Sequence, residues 1–169
     1  MIGKGDVMIK YACIAMLVLA SAGCAVNKQH EYPPWCEAVM MENIEAVKYH
    51  VSHGADLNAE VQYYTLRAPP LHLAVLFGRE ISALFLLDHV ADINGKDHRG
   101  QTPLHMAVLS DSLGMADILI KRGADVNVKT NAGRTLLDYA KHMKSSRMIE
   151  LLRKNGTKEN NGKVKPWKQ

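Results

Sequence analysis

Aromatic side chains are scarce in this chain: two Trp, six Tyr and two Phe make up 6% of 169 residues. The 47% that is hydrophobic is therefore mostly Leu, Val, Ala, Ile and Met, the set that packs helix against helix. Cysteine is nearly absent too. Of three, Cys13 lies in an apolar run, leaving Cys24 and Cys36, two thiols where a structural zinc site needs four ligands. Net charge is small, +4. Lys4 and Lys10 against Asp6 give +1 of it, and Lys158, Lys163, Lys165 and Lys168 against Glu159 give +3, so the body between sums to zero. A neutral body does not suit a nucleic-acid reader, which gathers cations on one face. The chemical motifs are missing as well. There is no G-x-S-x-G, no H-E-x-x-H, no P-loop and no G-x-G-x-x-G. Ser110-Asp111-Ser112 is a polar helix-end cluster with no His placed beside it. The sequence offers no catalytic residue, no metal site and no cofactor site, and the reading is of a protein that is not an enzyme.

What is present begins with an address. Lys4 and Lys10 precede the apolar run Ala12–Ala20, and small residues follow, Ser21-Ala22-Gly23-Cys24-Ala25. Charged head, apolar middle and small-residue end are the order of a secretory signal. The run is about half the ~20 residues that a spanning helix needs. Met8 also begins a complete signal. Two processing routes stay open. Ala20-Ser21-Ala22 fits ordinary signal cleavage. Ala22-Gly23-Cys24 resembles the end of a bacterial lipobox, with Ser21 where Leu is usual, and implies lipidation at Cys24 and a membrane anchor. The expected organisation is a leader over 1–24, a linker over 25–31, a body over 32–157 and a basic, disordered tail over 158–169. The expected place is the cell envelope, lipid-anchored or periplasmic, with secretion as the alternative. If Cys24 is lipidated, Cys36 is a lone thiol at a helix start; if not, the two can form a disulfide in an oxidising compartment.

The body repeats. Pro103-Leu104-His105-Met106-Ala107 echoes Pro70-Leu71-His72-Leu73-Ala74 at an interval of 33 residues. Gly123-Ala124-Asp125-Val126-Asn127 echoes Gly54-Ala55-Asp56-Leu57-Asn58, with Val90-Ala91-Asp92-Ile93-Asn94 between them. Gly100 returns as Gly133, Ala107 as Ala140 and Gly123 as Gly156. Four units follow, near 32–60, 61–96, 97–129 and 130–157. Ala38 to Ala74 is 36 residues, and the three extra are assigned to Val61-Gln62-Tyr63 in a loop. Pro103 suits a first helical turn. Ile81, Leu84 and Leu87, and likewise Met115, Ile118 and Leu119, are spaced to line the buried face of a second helix. Gly54, Gly123 and Gly156 suit the helix ends. Val90 stands where glycine is wanted and predicts a local distortion.

Thr102-Pro103-Leu104-His105-Met106-Ala107, in register with Gly-Ala-Asp-x-Asn, is similar to the ankyrin family, whose repeat is about 33 residues. The resemblance covers residues 32–157 and implies an all-α solenoid of about four helix-turn-helix repeats with hairpin loops. It implies that His72 and His105 tie adjacent loops by backbone hydrogen bonds rather than holding metal. It also implies binding of a protein or peptide through the hairpin tips and the inner face of each first helix. Those positions are Met40 and Met41 in the first repeat; Leu66, Ala68, Leu76 and Phe77 in the second; His98, Arg99, Gln101, Leu109 and Ser110 in the third; and Asn131, Arg134, His142 and Met143 in the fourth. They predict an apolar stripe beside two arginines, fitted to an apolar helix or strand with some acidic groups. The expected function is an exported interaction scaffold, with a structural envelope lipoprotein or an inhibitor or immunity-like protein as alternatives.

Overall fold

A computed structural model describes residues 34–160, except 64, 65 and 90. The expected leader, the linker, Cys24, Val90 and residues 161–169 lie outside the described residues, as does the side chain of Leu66.

Eight helices among the described residues come in four pairs, each a short helix followed by a longer one: α1 (Pro34–Met40) with α2 (Ile44–Ser52), α3 (Pro70–Leu76) with α4 (Glu80–Asp88), α5 (Pro103–Leu109) with α6 (Leu113–Lys121), and α7 (Leu136–His142) with α8 (Ser146–Lys154). The short helices stack in one layer, α1 on α3, α3 on α5 and α5 on α7; the long ones form a second layer, α2 on α4 and α6 on α8 among its contacts. No helix among the described residues is long and apolar enough to cross a membrane.

The reason the layers approach closely is written at one repeating position. Ala38, Ala74, Ala107 and Ala140 are all buried, and each carbonyl accepts the N–H five residues on, from Asn43, Arg79, Ser112 and Ser145. That bond closes the end of every short helix. The long helices end the same way. Gly54, Gly123 and Gly156 take φ of 85°, 93° and 81°, and the next residue, Ala55, Ala124 or Thr157, bonds back to His50, Leu119 or Leu152. At the end of α4 the corresponding bond, Ala91 N–H to Leu86 C=O at 3.0 Å, is kept.

One continuous core runs through the stack, from Val39 and Val47 through Leu71, Leu86, Leu104 and Leu119 to Leu137, Met148 and Leu152. In α4 the buried face is Ser82, Ala83 and Leu86, which corrects the expected face. Leu84 and Leu87 are half-buried and Ile81 is 59% exposed. In α6 the expected Met115 and Leu119 are buried and Ile118 is half-buried. The extra residues of the second repeat form a ribbon: β1 (Val61–Tyr63) pairs antiparallel with β2 (Leu66–Ala68), Val61 opposite Ala68. Beneath it lies a second apolar cluster of Cys36, Met40, Val61, Ala68 and Leu73, edged by Trp35.

The stack does not stop at residue 157. Lys158 N–H donates to Asn127 Oδ1 at 2.9 Å, Glu159 bridges Lys141 and Arg153, and Asn160 Nδ2 donates to Gly133 C=O at 2.9 Å. Residues 158–160, expected in the disordered tail, therefore cover the last repeat.

Candidate functional site

The side chains proposed to meet a partner fall into two groups, the ends of the short helices and the hairpin tips. At the helix ends, the position three residues after each buried alanine holds Met41, Phe77, Ser110 and Met143. All four are exposed: Met41 by 63%, Phe77 by 45% and Met143 by 44%. With Ile81, these are the exposed large hydrophobics among the described residues. Ile81 belongs to the same edge, because its N–H is held at 3.2 Å by Glu42 Oε1, next to Met41 in the preceding repeat.

One residue earlier the pattern differs. Met40 is 6% exposed, roofed by the ribbon, and does not open onto the surface as expected. Ala68 is fully buried in the same cluster. Leu76 and Leu109 are half-buried against the main core, and His142 is exposed. The apolar stripe is thus one residue wide, set by the residues that cap the short helices.

The tips are stitched to one another. His98 Nδ1 donates to Arg67 C=O at 2.6 Å, and its Nε2 accepts from Arg99 Nε at 3.3 Å. Asn131 donates through Nδ2 to His98 C=O at 3.1 Å and through its backbone N–H to Arg99 C=O at 3.0 Å. Gln101 is 5% exposed; its Nε2 donates to the Tyr139 hydroxyl at 3.0 Å, so it is a strut and not a contact residue. Arg99 is exposed and Arg134 half-buried. Gly100 has to be glycine, since it takes φ of 74° and an added Cβ would sit 2.8 Å from Asn131 N.

The two signature histidines act as struts. His72 Nε2 donates to Gln101 C=O at 2.9 Å, the loop tie that the resemblance implied. His105 differs: its Nδ1 accepts from Thr102 N–H at 3.1 Å, its ring meets Tyr139 edge-on at 5.5 Å, and its Nε2 has no hydrogen-bond partner among the described residues. Where Thr102 serves His105, Pro69 has neither N–H nor hydroxyl to offer His72. In the fourth repeat Asp138 takes the place of His105, accepting from Thr135 N–H at 2.8 Å. Burial pushes the pKa of both histidines down, to about 3 for His105, where the neighbouring His72 and Lys96 add to it. Both rings are neutral near pH 7. Cys36 is a free, buried thiol. Burial, helped by the charge of Glu37, pushes its pKa up to about 11. No group of three His, Cys, Asp or Glu side chains among the described residues is placed to hold a metal ion.

Another tie went unread in the sequence. Asp56, Asp92 and Asp125 accept from the N–H two residues on, at 2.8–2.9 Å, a local turn in which Asp is favoured. Asn58, Asn94 and Asn127 then reach across repeats: their Oδ1 atoms accept the N–H of Asp92, Asp125 and Lys158 at 2.8–2.9 Å. The recurrence of Asn at a fixed offset after Asp was the signal that could have revealed it.

Paired helices in two layers and side-chain struts between successive loops define a helical repeat scaffold. The family described as Ankyrin repeats (3 copies) matches residues 35–130 and 71–163, and the chain belongs to the ankyrin-repeat family. Repeats of this family mediate protein–protein interaction and are typically non-catalytic. No curated protein matches the chain.

Proposed function

We propose that this chain is an exported scaffold that binds a protein or peptide partner along the edge carrying Met41, Phe77 and Met143, with Arg99 and Arg134 on the tips beside it. One observation carries the reading. The same position in three of four repeats holds a large apolar side chain that is 44–63% exposed, while the apolar residue before it, Met40 or Leu76, is buried or half-buried. A row of exposed hydrophobics is costly to keep on a surface unless a partner covers it, and methionine suits an adaptable contact. The two arginines favour a partner with carboxylates near its apolar segment. Export rests on the order of residues 4–25, and anchoring rests on Cys24.

The test of binding is a pull-down from native envelopes with wild type and Phe77→Asp. The partner's yield is expected to fall at least ten-fold with the variant, at unchanged thermal midpoint; the same partners at the same yield would count against the edge. For the anchor, metabolic labelling with palmitate is expected in wild type and absent in Cys24→Ala. An unlabelled mature protein beginning at Cys24 or earlier would remove the lipid from the account.

A further inference from the structure

Six methionines fall among the described residues: Met40, Met41, Met106, Met115, Met143 and Met148. Four of them are at most 6% exposed. The two that are open, Met41 and Met143, hold the same position in the first and last repeats, at the two ends of the proposed partner edge. Their backbones are fixed there: Met41 N–H donates to Glu37 C=O and Met143 N–H to Tyr139 C=O, both at 2.9 Å. Three repeat spacings separate them, roughly 25–30 Å. Between them the position holds Phe77 and Ser110, which carry no sulfur. The remaining sulfur among the described residues, Cys36, is buried, with its pKa pushed up to about 11. It is therefore held as a thiol, whereas the thiolate is the form that attacks oxidants.

We infer that Met41 and Met143 are paired oxidation sites through which a hydroperoxide switches the partner edge off; the inference rests on the reading of that edge as a binding surface. The thioether sulfur attacks one oxygen of the peroxide and the O–O bond breaks. Sulfur is oxidised by two electrons and keeps that oxygen, and the other leaves as water or as the alcohol. The product is a sulfoxide, polar and hydrogen-bond accepting, where an apolar side chain stood. A partner that covers this position with apolar surface must then bury an oxygen without a donor, an unfavourable exchange at each end of the row. The step is reversible, because methionine sulfoxide reductases restore the thioether with a dithiol as reductant, giving a disulfide and water. Met40, Met106, Met115 and Met148 are kept from the oxidant by burial, so the core survives the reagent that changes the surface.

The test treats the full chain with hydrogen peroxide, removes the excess with catalase and maps oxidation by peptide mass spectrometry. Met41 and Met143 are expected to oxidise about ten-fold faster than the four buried methionines, with no change in the circular dichroism melt. The treated chain then enters the pull-down from native envelopes beside untreated chain, Phe77→Asp and M41L/M143L. Its capture of the proteins that Phe77→Asp also loses is expected to fall about five-fold or more. Capture should return after the two methionine sulfoxide reductases act with dithiothreitol. M41L/M143L is expected to bind like wild type and to be insensitive to peroxide. Equal oxidation of buried and exposed methionines, or the same peroxide-dependent loss in M41L/M143L, overturns the inference. So does full capture by a chain carrying both sulfoxides while Phe77→Asp still loses its partner, a result that leaves the edge standing. Full capture by Phe77→Asp removes the edge and the inference with it.

Discussion

Where each short helix ends, the backbone turns left-handed whatever residue stands there: Glu42, Gly78, Asp111 and Lys144 take φ of 53°, 66°, 50° and 58°. Only one of the four is glycine, and a residue with a Cβ in this conformation is strained by about 1–2 kcal/mol. Lys144→Gly is therefore expected to raise stability by about 0.5–1 kcal/mol, after allowance for the freer unfolded chain, read as a higher urea midpoint at constant m; a lower midpoint would contradict the strain. The histidines give a second residue-scale prediction. His72 and His105 have lowered pKa values in the fold and ordinary values near 6.5 when unfolded. Below about pH 6.5 the unfolded chain therefore binds more protons, and stability falls as pH drops, for His105 down to about pH 3, by up to ~1.4 kcal/mol per pH unit for each histidine. His105→Asn keeps an acceptor for Thr102 and removes one titrating group. Its stability should fall less steeply between pH 6.5 and 4.5, by about one proton; an unchanged slope would mean that His105 is not buried as a neutral ring. The site was only partly legible at this scale. A 33-residue interval brings Met41, Phe77 and Met143 to one position, but it cannot say which of two adjacent residues faces out. Met40 and Met41 are chemically alike, and only the ribbon above Met40 decides between them.

At the scale of elements, the tips are held by their neighbours as well as by their own turns, where Asp97 Oδ1 accepts from the N–H of Arg99 and Gln101. Gly100 has the next repeat's Asn131 against it, and Asn131 bonds to both His98 and Arg99. Gly100→Ala is expected to cost about 2 kcal/mol or more, the left-handed penalty with a steric clash added. It should also speed amide exchange at residues 97–101 and 130–134 together; a loss confined to one loop would refute the stitching. The helices themselves were readable, because Pro103 and Gly123 mark a start and an end by backbone rules that need no tertiary information. The buried face of α4 was not. Its sequence, Glu80-Ile81-Ser82-Ala83-Leu84-Phe85-Leu86-Leu87-Asp88, is apolar nearly all round, so spacing gives no direction. The inward residue at Ser82 is polar and is accepted only because its hydroxyl donates to Val39 C=O at 2.8 Å. The order of residues 158–160 was hidden for a related reason. Their polar composition reads as tail, and only Asn127, Lys141, Arg153 and Gly133, distant in sequence, supply the partners.

For the whole molecule, stability is a sum of units and of the interfaces between them. Removing residues 130–169 uncovers Leu104 and Leu119, which are now fully buried, and deletes the basic end. The shortened chain is expected to melt at a clearly lower temperature and to bind a dye for exposed apolar surface; an unchanged midpoint would mean that the fourth repeat is not part of the cooperative stack. The repeat number followed from the periodicity, and the helix-turn-helix form of each repeat from the resemblance that Thr102–Ala107 carries. The partner edge is the claim that everything functional depends on, and photo-crosslinking tests it most directly. A photoreactive residue is placed in turn at Met41, Phe77 and, on the outer layer, Lys121, and crosslinked products from native envelopes are identified by mass spectrometry. The account predicts one shared partner at positions 41 and 77 and none of it at 121. Crosslinking of that partner at 121 with none at 41 and 77 would place binding on the other face and contradict the account.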